Sequence, residues 1–169
     1  YSLVNDPSDP EHVATLAMNG GYIHDVYVEN NIAYCSHGFG GQRIYDMTPV
    51  TTAASFPTTN TPVELSVIEG YPFEGYNHSS WRMGNYLIMA DETHGKPLNV
   101  IDISDYSDPD PVSTLQLNLD GVANPTSSSG PIAHNPFVLG NWVYISYYHD
   151  GVVIYDLTDP ANPVVAGYY

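Results

Sequence analysis

Residues 134–158 read HNPFVLGNWVYISYYHDGVVIYDLT. Apolar and aromatic residues come in short runs, at Phe137–Leu139, Trp142–Tyr147 and Val153–Tyr155, too short for a helix and rich in β-favouring types. Gly140-Asn141 divides the first two runs and a Gly-containing turn divides the next two, and both residue types tolerate the positive φ of tight hairpins. The stretch therefore reads as three antiparallel strands. A fourth follows the Pro-rich turn, along Asn162-Pro163-Val164-Val165-Ala166-Gly167-Tyr168.

The same text occurs twice more. Residues 24–48 read HDVYVENNIAYCSHGFGGQRIYDMT and residues 78–104 read HSSWRMGNYLIMADETHGKPLNVIDIS. The leading histidines, His24, His78 and His134, are 54 and 56 residues apart. The closing aspartates, Asp46, Asp102 and Asp156, are 56 and 54 apart. Two landmarks with one period mark an internal repeat, and four antiparallel strands per repeat is the plan of a β-propeller. The fold class is accordingly all-β, with about three four-stranded antiparallel blades forming part of a larger or oligomeric propeller.

Approximate repeat bounds are 1–20 (a partial blade), 21–70, 71–120 and 121–169 in one domain. The partial blade rests on Leu3 to Pro10, which resembles the blade end at Tyr155 to Pro160. Two Pro/Ser/Thr/Asn-rich insertions, Thr51 to Pro62 and Ala123 to Pro131, lengthen the period and belong in surface loops. Propellers close with four to eight blades, so the remaining blades come from other copies or from a longer parent chain. The chain begins at Tyr1 without a signal-peptide pattern, as a processed product or a piece of a longer protein would.

These residues carry a family resemblance. The phrases IYDLTDPANPVVAGYY (154–169) and VIDISDYSDPDPV (100–112) resemble LVIVD-repeat β-propellers, and the histidine-led strands resemble the secreted choice-of-anchor B proteins. The resemblance implies an extracellular or cell-surface propeller, often carried beside anchoring segments, and brings no reaction with it.

Three Lys plus Arg against 19 Asp plus Glu give a net charge of −16. Such a surface repels nucleic acid and anionic headgroups and suits divalent cations or basic partners. No apolar run reaches the roughly 20 residues that span a bilayer. Cys35 is the only cysteine, which excludes an intrachain disulfide.

The leading histidines open the innermost strands, so they are expected on one face near the channel. His37, His94 and His149 follow them by 13, 16 and 15 residues, near the turn between second and third strands on that same face. Asp25, Asp91, Glu92 and Asp150 are expected close by. Imidazole with carboxylate suits zinc or copper, and carboxylates alone suit calcium. The structural alternative is a histidine ring hydrogen-bonded to the backbone of the neighbouring blade. The closing aspartates are expected to cap turn amides. Asn77-His78-Ser79 fits the N-glycosylation pattern, and the Ser/Thr-rich insertions suit O-linked sugar.

Nucleophile-elbow, HExxH and phosphate-loop patterns are absent from the sequence. The reading is a non-catalytic extracellular or cell-surface module, a scaffold, adhesion or binding surface, with a filament subunit as one form of it. The alternatives are a metal-dependent enzyme using the histidine face and a carbohydrate-binding propeller.

Overall fold

The computed structural model describes residues 6–15, 21–117 and 130–169. Within them, twelve strands in sequence order build three separate sheets, and each sheet uses four consecutive strands. The first blade comprises β1 (Asp25–Glu29), β2 (Ile32–Ser36), β3 (Gln42–Asp46) and β4 (Val63–Ile68). The second comprises β5 (Asn77–Met83), β6 (Tyr86–Asp91), β7 (Leu98–Asp102) and β8 (Asp110–Leu115). The third comprises β9 (Ala133–Leu139), β10 (Trp142–Tyr147), β11 (Gly151–Asp156) and β12 (Val164–Tyr168). All these strand pairs are antiparallel. A four-residue helix, α1 (Thr48–Thr51), precedes the first insertion, and no helix among the described residues is long and apolar enough to cross a membrane.

The turns behave as their residues require. Asn30 and Asn31 both take positive φ, 52° and 63°, the pattern of a type I′ hairpin. In the other two blades Gly84 and Gly140 take φ of 60°, and glycine meets no Cβ penalty there. The second turn residue has a recurring job. The carbonyls of Asn31, Asn85 and Asn141 accept the amides of Met47, Ile103 and Leu157 at 2.8, 2.8 and 2.9 Å. Each hairpin turn is thereby bolted to the chain just beyond the third strand.

The closing aspartates cap turns as expected. The amides of Thr48, Ser104 and Thr158 donate to Asp46, Asp102 and Asp156 Oδ1 at 2.8 Å in every case. A register shift between the third and fourth strands also recurs in every blade, at Ile44/Tyr45, Val100/Ile101 and Ile154/Tyr155. Such a bulge bends and twists the outer strand. A second aspartate turn precedes that strand, with Ser107 and Ala161 donating to Asp105 and Asp159 Oδ1 at 2.9 and 3.1 Å. Asp6 accepts from the Ser8 amide in the same way at 2.8 Å. Residues 6–10 therefore repeat this turn, while residues 1–5 and 16–20 of the expected partial blade lie outside the described residues.

The blades stack face to face. One apolar cluster joins Tyr34, Ile44 and Ile68 of the first blade to Leu87, Met89 and Ile101 of the second. Another joins Ile88, Leu98 and Val100 of the second blade to Val143, Ile145 and Val153 of the third. The strand alternation of β6 explains this, since Leu87 and Met89 serve one face and Ile88 and Ala90 the other. β5 contacts β9 on one side and β1 on the other, so the three first strands lie side by side. The first insertion is mostly exposed, as its composition requires, and residues 123–129 of the second lie outside the described residues.

The capped aspartates make a pH prediction. Hydrogen bonds from Thr48 and Thr158 hold the Asp46 and Asp156 carboxyls below the usual carboxylate range. Folded pKa values below the unfolded ones mean that their contribution is present above about pH 4 and fades as pH falls through the folded values. Urea unfolding at pH 6, 4 and 3, in salt that screens the net charge, should show stability falling at the acid end. An Asp46→Asn/Asp156→Asn variant keeps a turn acceptor and should show a shallower fall; an equal slope contradicts the assignment.

Candidate functional site

Each blade opens with its leading histidine, and the side-by-side first strands bring all three together. The rings of His24 and His78 lie 4.3 Å apart between centroids, and those of His78 and His134 lie 4.0 Å apart. The result is a file of three imidazoles crossing three blades. The backbone hydrogen bonds of the structural alternative do not hold these rings among the described residues. Instead the Tyr76 hydroxyl meets His24 Nδ1 at 2.9 Å, and Tyr148 packs edge-on against His134 with centroids 5.1 Å apart.

Glu92 completes the cluster. It directly follows β6, where its amide donates to the Tyr76 carbonyl at 2.8 Å. Its Oε2 lies 3.7 Å from His78 Nε2 and its Oε1 lies 4.0 Å from His134 Nε2. The Tyr148 hydroxyl donates to Oε1 and holds the carboxylate in place. One ligand atom from each of His24, His78 and Glu92 can be chosen so that all lie within 4.8 Å of one another. Burial, reinforced by the His134 imidazole, holds the His78 ring below its ordinary pKa although Glu92 opposes the shift. The shift favours the neutral imidazole, the form that ligates metals.

The second histidine set does not join the cluster. His37 is buried, with neither ring nitrogen hydrogen-bonded. His94 is exposed, and its Nδ1 meets the Gly130 carbonyl at 3.3 Å in the neighbouring blade. His149 is exposed beside Tyr148. Among the described residues the only metal-capable group is His24, His78 and Glu92, and it includes none of these three.

Asn77 requires a correction. The nitrogen that would carry an N-linked glycan is fully buried and donates to Asp91 Oδ1 at 3.3 Å. Its backbone also pairs with Gly38 across the blade boundary, at 2.9 and 3.0 Å. The Asn-His-Ser pattern thus falls on a buried strand where a sugar has no room. Behind it, Asp91 also accepts from the Tyr71 hydroxyl (2.9 and 3.1 Å) and the Gly75 amide (2.7 Å). Burial pushes the Asp91 carboxyl up although these hydrogen bonds oppose the shift.

A second file runs beside the first, three residues on in each repeat. Tyr27 and Trp81 are 4.7 Å apart between centroids, and Trp81 and Phe137 are 4.9 Å apart. They edge a cleft of about 330 Å³ that also takes in Asp25, Ser80 and Asn135. Sequence reasoning did not single out this file, although an aromatic residue at that offset from every leading histidine was its signal.

The outward faces of the end blades are apolar. On the first blade, Ile23, Val26, Val28, Ala33, Cys35 and Tyr45 line a cleft of about 360 Å³. On the third, Phe137, Leu139, Trp142 and Val152 stand exposed.

Repeated four-stranded blades with their first strands adjacent define a repeat protein of the β-propeller type. The family model of the LVIVD repeat matches residues 74–115 and 132–169, the second and third blades. The first blade, outside those matches, has the same strand order, turn bolt and bulge. No curated protein and no solved structure matches the chain.

The buried node behind the site is testable by substitution. Asp91→Ala strands two or three buried donors at about 1–3 kcal/mol each, so unfolding free energy should drop by about 3 kcal/mol or more. Asp91→Asn, which keeps an acceptor, should lose clearly less in the same urea titration. Equal losses would show that the hydrogen bonds are not what Asp91 contributes.

Proposed function

We propose that the protein is a non-catalytic extracellular or cell-surface propeller module, a scaffold or binding surface that works by stacking its end blades on further blades. One observation carries this reading: both end blades present apolar faces of the kind that the middle blade buries. Val28 is 56% exposed on the first blade and Phe137 is 49% exposed on the third. Contiguous exposed patches of this type are binding surfaces in soluble proteins, and burial contributes roughly 25 cal/mol per Å². The two faces differ, so contact between copies is head-to-tail, and such contacts close into rings or run on as filaments. The resemblance to choice-of-anchor B proteins and the acidic surface support a place outside the cell.

Light scattering and native mass spectrometry at micromolar concentration test the stacking. The chain should associate, and Val28→Asp or Phe137→Asp should each weaken association at least about tenfold, or about 1.4 kcal/mol. Both side chains are exposed, so the fold should tolerate the changes. A stable monomer without any tendency to associate overturns the proposal.

The aromatic file favours a second reading, carbohydrate binding in the cleft edged by Tyr27, Trp81 and Phe137. Sugar rings stack on such faces while polar side chains such as Asp25 and Asn135 take the hydroxyls. In a Trp142→Phe variant Trp81 is the only tryptophan. Its fluorescence should respond to a bound glycan, and silence across neutral, amino and acidic oligosaccharides rejects this reading.

A further inference from the structure

We infer that His24, His78 and Glu92 form a binding site for one divalent transition-metal ion of the zinc class, stapling the first blade to the second where their innermost strands meet.

The ligand set differs from a row of three histidines. His134 touches the cluster only through the other Glu92 oxygen, at 4.0 Å, while His24, His78 and Glu92 fit within 4.8 Å. A tetrahedral ion with bonds of about 2.1 Å spaces its ligand atoms about 3.4 Å apart. The 3.7 Å between His78 Nε2 and Glu92 Oε2 is already close to that edge. The remaining distance closes by rotation of His24, which is exposed and precedes β1, and of Glu92, which follows β6.

His78 supplies an independent observation. Its side chain is only 8% exposed, yet its Nδ1 has no hydrogen-bond partner and its Nε2 faces Glu92 beyond hydrogen-bond length. The Nε2 atom is the one turned toward Glu92, and an ion between them gives this nitrogen a partner at the mouth of the cluster. A single ring nitrogen can bind the ion, and the set of two imidazoles and one carboxylate then suits zinc over calcium or magnesium, which take mainly oxygen.

The surroundings already resemble an outer shell. The Tyr76 hydroxyl meets His24 Nδ1 at 2.9 Å, and the Tyr148 hydroxyl binds the Glu92 oxygen that faces away from His78. Outer hydrogen bonds of this kind orient metal ligands. A Cβ at Gly38 would sit 2.6 Å from the Tyr76 ring, so glycine there lets the first blade approach the tyrosine that holds His24. The net charge of −16 concentrates cations around the whole molecule.

The experiment uses the full chain, stripped with chelator and titrated with zinc chloride or calcium chloride by calorimetry, with melting followed in parallel. Zinc should bind at one ion per chain and raise the melting temperature, and calcium should do neither. His24→Ala and Glu92→Gln alter exposed or half-exposed side chains, and they remain decisive if His78→Ala does not fold. Each should weaken zinc binding at least tenfold and remove the melting shift, whereas His134→Ala and His149→Ala should stay within a few-fold of the parent. Absence of zinc binding overturns the inference. So does zinc binding that survives both His24→Ala and Glu92→Gln, because the ion then sits on surface carboxylates.

Discussion

A four-stranded sheet has two faces, and each blade here is too thin to hide an apolar face within itself. Burial between blades is therefore the constraint on which the rest depends. The middle blade meets it on both sides, with Leu87 and Met89 turned one way and Ile88 and Ala90 the other. The end blades meet it on one side only. Cys35 sits on the outward side of the first blade, where burial pushes its thiol up to about 11 and leaves it a small packing residue without thiolate chemistry. Stacking also fixes the spacing of the innermost strands, and that spacing sets whether rings on neighbouring strands touch.

Polar contacts then lock the stack in register. Arg82 of the second blade reaches Glu29 of the first at 3.0 Å, and the Tyr34 and Tyr106 hydroxyls meet across the same boundary at 3.0 Å. Between the second and third blades the Ser79 hydroxyl donates to the His134 carbonyl at 2.6 Å. The last of these falls directly beside the histidine file. The geometry of the site is thus a product of blade packing, with no loop of its own to shape it.

The blade plan was legible because it is local. Turn residues, strand alternation and a closing aspartate recur inside each repeat, and all three aspartates cap turns as their type and position required. The convergence of His24, His78 and His134 was legible too, since it needs only the propeller plan and their place at blade entry. What the repeat could not reveal is whatever differs between blades. From sequence, Glu92 is expected near the histidines along with Asp25, Asp91 and Asp150. At its offset from the leading histidine, however, the other blades carry Gly38 and Tyr148, so no periodic signal singled it out from those carboxylates as the partner of His78. Asn77 shows the opposite failure: a short pattern read without its neighbours suited a glycan, while burial beside Asp91 gave the amide another use. The Asp91–Tyr71 contact joins residues 20 apart in sequence, and nothing in their types announced the pairing.

Every sheet is made from consecutive strands, and the turn bolts join residues no further apart in sequence than Asn85 and Ile103. Loop closure inside a blade is therefore short-range, which favours fast formation of the individual hairpins. A ribosome releases the chain from the N-terminal end, so the first blade can pair its strands before the third has emerged. Later blades then find a preformed face to dock on, and synthesis and assembly proceed in the same direction. A unit built this way can also be copied in a gene without re-tuning its interior, since only the face residues must agree with a neighbour.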